Sequence, residues 1–227
     1  LSESAACVTE ILGTPRVWTN PEKDATGASC VVGDVRYDSA QTAWAADVKA
    51  AHGRIHSIGT AAGVAIGGPV HLITTEEWQR VQDINLTGTF QMCRSAIPFF
   101  LANESKPTSG CSIVNIASAA ALQGVPYNAA YCASQAGVVG LTRSLAPEYA
   151  RKEIRANAVC PGGVMTPMTA AGFPVDDTDP ALFARIAPQM PTVAQPEEIA
   201  ALVAYLTCDE TRYMTGSAIT IDGGQLA

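Results

Sequence analysis

A chain of 227 residues, 48% of them hydrophobic, is long enough to bury most of its apolar surface in one core, and its punctuation forces no second domain, so one domain over 1–227 is expected. The formal charge of −7, from 21 acidic against 14 basic residues, lacks the basic surface that a polyanion requires and excludes nucleic acid as the expected partner. The seven cysteines are odd in number and show no CxxC spacing, which suits a reducing, cytoplasmic setting; no apolar run reaches the roughly 20 residues that span a bilayer, and no signal-peptide pattern opens the chain, so no membrane partner is expected.

Short β-rich runs alternate with longer stretches of helical period, a pattern that predicts an α/β chain with a parallel sheet covered by helices on both faces. In chain order, 6–11 reads as a strand, 13–27 as a Thr-, Pro-, Asn- and Gly-rich connection, and 28–32 and 55–59 as further strands. Thr75, with Glu77 close behind, opens a helix whose apolar pattern runs through Trp78, Val81, Ile84, Leu86, Phe90, Cys93 and Ile97. A strand at 112–117, a helix at 131–151 and a strand at 155–160 follow. Residues 169–194, rich in proline and carrying Asp176, Asp177 and Asp179, read as a long loop of the kind that often serves as a binding loop or lid. Gln195-Pro196-Glu197-Glu198 begins a last helix that should end near Thr207, with Pro and acids where the first turn favours them, before a strand at 217–221.

The chemistry centres on an apolar strand that ends in Ser118 and a helix that opens at Tyr131, 13 residues later. In a parallel sheet the carboxyl ends of the strands face the ligand crevice, so these two hydroxyls can meet over one substrate atom. A phenol titrates near pH 10 and acts as a general acid or base at neutral pH when a positive charge or a hydrogen-bond relay supports it. One helical turn beyond Tyr131 stands Gln135, which brings hydrogen bonds and no charge. The plain alternative for each residue alone is a strand-end cap and a half-buried aromatic. His52, His56 and His71 lack metal-ligand spacing, and no metal is expected.

Asn115-Ile116-Ala117-Ser118, Tyr131-Cys132-Ala133-Ser134-Gln135-Ala136-Gly137, Asn157 through Pro161-Gly162-Gly163-Val164-Met165-Thr166-Pro167, Thr215-Gly216 and Asp222-Gly223-Gly224 occur in this order. Together they resemble the short-chain dehydrogenase/reductase family over roughly residues 28 to 227. The resemblance implies a doubly wound, Rossmann-like sheet, an NAD(H) or NADP(H) cofactor, oxidoreductase activity on a hydroxyl or ketone of a small molecule, and a homodimer or homotetramer. By the same resemblance Ser118 polarises the substrate oxygen, Tyr131 is the acid/base, and Asn85 holds a proton-relay water. Asp34, with Val35 beside it, meets the adenine. Ala61 and Gly63 fall in a further cofactor-facing stretch, and Pro161, Gly162, Val164 and Thr166 lie beside the nicotinamide.

Three departures from the family pattern stand beside these matches. The glycine-rich turn that would cradle the pyrophosphate is absent, residues 1–8 read as the end of a first helix running into a second strand, and the first strand and helix of the fold are missing from the pattern. The expectation is that residues precede Leu1 in the natural protein; the alternative is a sheet rebuilt by another element. Ala61 stands where a structural asparagine would tie one strand to the next, a bond of about 1 kcal/mol. Gln135 replaces the lysine that binds the nicotinamide ribose and lowers the tyrosine pKa, so impaired turnover is expected. Two other readings share the scaffold: a non-redox isomerase, lyase or cyclase, and a catalytically silent assembly subunit.

Overall fold

The computed structural model describes residues 33–104, 107–108, 110–170 and 178–227. The runs at 6–11 and 28–32 and the connection at 13–27 lie outside the described residues. Four strands, β1 (Ser57–Thr60), β2 (Cys111–Ile116), β3 (Ile154–Pro161) and β4 (Ala218–Ile221), form a parallel sheet in the order β1-β2-β3-β4 among the described residues. These are the four later strands expected from the sequence, displaced by at most a few residues. Every residue of β3 is buried, as parallel strands covered on both sides require.

The helices are α1 (Asp38–His52), α2 (Thr75–Gln82), α3 (Gly88–Leu101), α4 (Ala129–Tyr149), α5 (Pro167–Ala170), α6 (Pro180–Phe183) and α7 (Pro196–Thr207). No described helix is long and apolar enough to cross a membrane. The helix expected from Thr75 onward is found, with its cap one residue earlier: Thr74 and Glu77 form a reciprocal capping box. It is interrupted by a π turn at Asp83–Thr87. The last helix begins and ends where its Pro-Glu-Glu start and Thr207 placed it, with Gln195 and Glu198 closing another box. α1 was not expected. Its buried Ala45 and half-buried Trp44 and Val48 recur at helical spacing, and Gly53 ends it in the left-handed region at φ 75°.

Residues alternate between the two faces of the sheet. Ile58, Ile113, Ile154 and Ala156 face α1, α3 and α4, where Met92, Cys93, Ala96, Ile97 and Phe100 complete the largest core cluster. Val114 and Val159 face α7 through Ile199, Leu206, Leu202 and Val203. On that second side Arg155, 5% exposed, donates to Leu206 O at 2.9 Å and to Met214 O at 3.2 Å. The guanidinium thus satisfies the Leu206 carbonyl in the last turn of α7, where the helix dipole favours a cation, and joins it to the segment before β4 at Met214.

The excursion at 169–194 is not irregular throughout. α5 and α6 are short helical turns within or beside it, and a parallel bridge between Val164 and Ala194 brings its two ends together. Residues 171–177 lie outside the described residues.

Candidate active site

Parallel strands deliver their carboxyl ends to one edge of the sheet, and the register brings three of them level: Thr60 lies opposite Asn115, and Ile116 opposite Val159. Ala61–Gly63 therefore leave β1, Ser118 follows β2, and Pro161 and Gly162 end β3 along a single rim. Ser118 is fully extended, at φ −160° and ψ 156°, and its Oγ accepts from Ala120 N at 3.1 Å, capping the short 3₁₀ turn Ala119–Ala121. Its capping role does not keep it from Tyr131, on the first turn of α4. The Ser118 and Gln135 side chains both act on the Tyr131 phenol and pull its ionisation down, while burial, the larger influence, pushes it above the ordinary value near 10. The Gln135 Oε1 is buried with no hydrogen-bond partner, and the residue is 5% exposed. Behind Ser118, burial pushes the Cys160 thiol up to about 11, so it is neutral at physiological pH.

The π turn places Asn85 against this rim. Asn85, 1% exposed, donates from Nδ2 to Val64 O at 2.9 Å and to Ser134 Oγ at 3.0 Å, and accepts on Oδ1 from Val64 N at 2.8 Å. Ser134 in turn donates to Tyr131 O at 2.8 Å. One side chain thereby ties the loop after β1 to the helix that carries Tyr131. The amide of Asn85 is fully committed to protein groups, and its backbone carbonyl accepts from Thr89 Oγ1 at 2.7 Å. Gly63 sits over it, 3.5 Å from Oδ1 to where a Cβ would stand. The tie that Ala61 cannot make is supplied one residue earlier, where Thr60 Oγ1 donates to Asn115 Oδ1 at 3.0 Å across β1 and β2.

Asp34 lies in the turn before α1, where Arg36 grips its carboxylate from the backbone N–H at 2.9 Å and from Nε at 3.0 Å. That hydrogen-bonded ion pair holds the Asp34 carboxyl below the usual range. Val35 is buried against Gly88 at the start of α3, its carbonyl accepting from Gln41 Nε2. On the other side of the rim, Gly162 N donates to Ile221 O at 3.0 Å. Val164 bridges to Ala194, and its carbonyl accepts from Thr169 Oγ1 at 2.6 Å beside Thr166. A Cβ on Gly162 would stand 2.8 Å from Asp222 Cα and 2.9 Å from its carbonyl oxygen. Gly162→Ala should therefore lower stability by about 1–3 kcal/mol, by the cost of overpacking a tight contact. Thermal melting of the two proteins checks this, and an unchanged midpoint would mean that the closing turn yields freely.

Tyr127 was not anticipated. It holds φ 62° without being glycine. Its hydroxyl accepts from Asp179 N at 3.0 Å, its ring lies 5.9 Å from that of Phe183, and its carbonyl accepts from Gly68 N at 2.8 Å. It pins the middle of the 169–194 excursion, at Asp179 and Phe183, to the turn that leads into α4. Only the neighbouring turn residues Gly124, Pro126 and Asn128 hinted at unusual backbone there. Among the described residues no group of three or more His, Cys, Asp and Glu could hold a metal ion.

Comparison with known proteins gives concordant matches. The family model described as enoyl-(acyl carrier protein) reductase matches residues 8–225. The 3beta-hydroxysteroid dehydrogenase 1 of Eggerthella lenta is 42% identical over 163 residues, which are 72% of this chain but 60% of that protein, so the chain spans less than two thirds of this relative's length. A Xanthobacter autotrophicus protein named inactive 2-(S)-hydroxypropyl-CoM dehydrogenase 2 is 36% identical, over 86% of this chain and 83% of its own. The crystal structure of a short chain dehydrogenase from Mycobacterium paratuberculosis bound to NAD superposes with a TM-score of 0.82 at 36% identity, covering 89% of this chain and 76% of that one.

Proposed function

The chain belongs to the short-chain dehydrogenase/reductase family, and from that premise we propose that it is an NAD(P)-dependent oxidoreductase interconverting a hydroxyl and a ketone on a small molecule. The observation that carries the reading is the meeting of Ser118, Tyr131 and Gln135 at the carboxyl rim of the sheet, with a buried acceptor atom, Gln135 Oε1, left unpartnered beside the reacting phenol. A buried polar atom without a partner costs about 1–3 kcal/mol, which a ligand hydroxyl would recover. The residues present fit a nicotinamide dinucleotide in this respect. Gln135 would accept from a ribose hydroxyl, and Pro161, Gly162, Val164 and Thr166 would lie along the nicotinamide. Ala61 and Gly63 would flank the dinucleotide, and Asp34 and Val35 would sit at the adenine, Asp34 sharing its carboxylate with Arg36.

When bound, the cofactor supplies or removes the pair of electrons and the hydrogen that separate a ketone from an alcohol. The chain's own residues do the rest. Ser118 donates to the substrate oxygen and fixes its place, and Tyr131 gives that oxygen a proton or takes one away. Asn85 positions α4 through Ser134, and its backbone carbonyl, which also accepts from Thr89 Oγ1, would hold a water in the relay. Assembly as a homodimer or homotetramer is proposed with the activity, supported by Phe90 left 43% exposed on α3 and by the open space over Gly140 on α4.

Titration of NADH and NADPH fluorescence against the protein tests the reading, with saturable binding of one of them below millimolar concentration as the expected result. Absence of binding at millimolar cofactor would overturn it. The silent-subunit reading draws on the neutral Gln135 and on the likeness to a relative named inactive. It predicts no turnover of any ketone in a panel even where cofactor binds.

A further inference from the structure

We propose that Tyr127 is a positioning residue for the substrate: it holds α6 against the segment that joins Ser118 to Tyr131, so that α6 bears on the hydrocarbon body of a bulky ketone and not on the reacting group. The substrate half rests on the oxidoreductase reading, and the hold on α6 rests on the chain's own contacts.

Tyr127 lies between Ser118 and Tyr131 in the chain, and three contacts converge on it. Its carbonyl accepts from Gly68 N at 2.8 Å, in the loop after β1. Its hydroxyl accepts from Asp179 N at 3.0 Å, immediately ahead of α6. Its ring lies 5.9 Å from that of Phe183 at an interplanar angle of 32°, within the range of attractive aromatic pairs. The backbone bears on what the side chain is for. A φ of 62° is costly for a bulky aromatic and easy for glycine or asparagine. A turn that needed only its backbone would be more stable with either of those. The aromatic side chain is instead kept in a strained conformation, with its hydroxyl and its ring both engaged at α6.

Holding Asp179 holds the helix, because Asp179 Oδ1 accepts from Ala181 N at 2.9 Å and caps α6. Downstream, Gln189 N and Met190 N donate to Gly223 O at 2.9 and 3.0 Å, and Met165 N donates to Ala194 O at 2.8 Å. Residues 179–190 therefore run from the segment between Ser118 and Tyr131 to the turn after β4, along the rim where a substrate oxygen would meet both hydroxyls. They carry Leu182, 37% exposed, Met190, 58% exposed, and the half-buried Phe183. Apolar side chains there gain from covering hydrocarbon, whereas a small ketone is held by its oxygen and leaves them untouched. Tyr127 in this role acts through α6.

Two variants separate the parts of the side chain. Tyr127→Phe removes the hydroxyl and keeps the ring, while Tyr127→Asn removes both with a residue that tolerates the left-handed backbone. Hydrogen–deuterium exchange of the ligand-free proteins reads the hold on α6. Exchange in peptides covering 179–186 is expected to quicken about fivefold in Tyr127→Phe, as for the loss of one ordinary hydrogen bond, and further in Tyr127→Asn, with β3 peptides unchanged. Wild-type exchange in both variants overturns the proposal. Steady-state reduction of ketones graded in bulk from cyclohexanone to the bicyclic decalone, with whichever of NADH and NADPH binds, reads the effect on substrate. In Tyr127→Phe, kcat/KM for decalone relative to cyclohexanone should fall about fivefold through KM, with kcat for cyclohexanone and cofactor affinity within about twofold of the wild type. A merely structural role would lower activity on both ketones together, so an unchanged or raised ratio overturns the substrate half. Should the wild type reduce no ketone, the oxidoreductase reading and the substrate half fall together, while exchange still decides the hold on α6.

Discussion

Tyr131→Phe is expected to cut turnover by about 10²–10⁴-fold, the range typical of losing a positioned general acid, while cofactor binding changes by less than about threefold. The variant keeps the ring and removes the one hydroxyl on which Ser118 and Gln135 converge. Ser118 could still polarise a substrate oxygen but has no proton of suitable acidity to give it, and the Gln135 amide has none at all. Loss of the phenolic oxygen removes hydrogen bonds among neutral groups, at about 1 kcal/mol, so fold and cofactor affinity should survive. Single-turnover kinetics with a ketone substrate, alongside a fluorescence titration, separates the two effects. Activity within tenfold of the wild type would remove Tyr131 from the chemistry.

Asn115→Leu should be the most destabilising polar substitution in the sheet, by about 2–4 kcal/mol, since it strands buried groups on three other elements. Asn115 is fully buried. Its Oδ1 accepts from Thr60 Oγ1 of β1 at 3.0 Å and from Cys93 Sγ of α3 at 3.6 Å, and its Nδ2 donates to Thr142 Oγ1 of α4 at 2.9 Å. The Thr142 hydroxyl is already committed as a donor to Val138 O at 2.8 Å. A leucine of similar volume leaves Thr60 without its acceptor and Thr142 without its donor in a region closed to water. For a chain of this size the melting temperature should fall by about 2–4 °C per kcal/mol. The triple variant Thr60→Val, Asn115→Leu, Thr142→Val should recover much of the loss, because it removes both hydroxyl partners and leaves only the weak Cys93 thiol donor unpaired. A single variant that melts with the wild type would show the network to be energetically idle.

The strands β2 and β3 were legible because they are buried along almost their whole length, β4 by its short β-branched run although it is only partly buried, and α7 because proline and two glutamates announce its first turn. α1 escaped because Asp38–His52 is built on alanine and polar residues, and its inward face needs only Ala45 and parts of Trp44 and Val48 to meet α3. Spacing suggested that Ser118 and Tyr131 could meet, because a strand end and a helix start lie on adjoining elements, while the roles expected of them and of Gln135 came from the family resemblance. What the spacing could not disclose was how each partner is engaged. Asn85 spends its amide on Val64 and Ser134, Thr60 makes the tie that Ala61 cannot, and Tyr127 takes a left-handed backbone. Each of these depends on which remote backbone group arrives at the same place, a property of the assembled chain that no local pattern encodes.

The π turn at Asp83–Thr87 also leaves a mark on how this chain aligns with others. A π turn holds about one residue more than the α turn it replaces, so the helix before it and the helix after it keep their inward faces, Val81 on one side and Met92 and Ala96 on the other. Removing one residue here would straighten the helix without rotating α3 off the core. A single-residue gap opposite 83–87 in a related sequence would thus signal that the extra turn has gone, and with it the asparagine anchor that joins the loop after β1 to the helix of Tyr131, in a protein whose fold is otherwise unaltered.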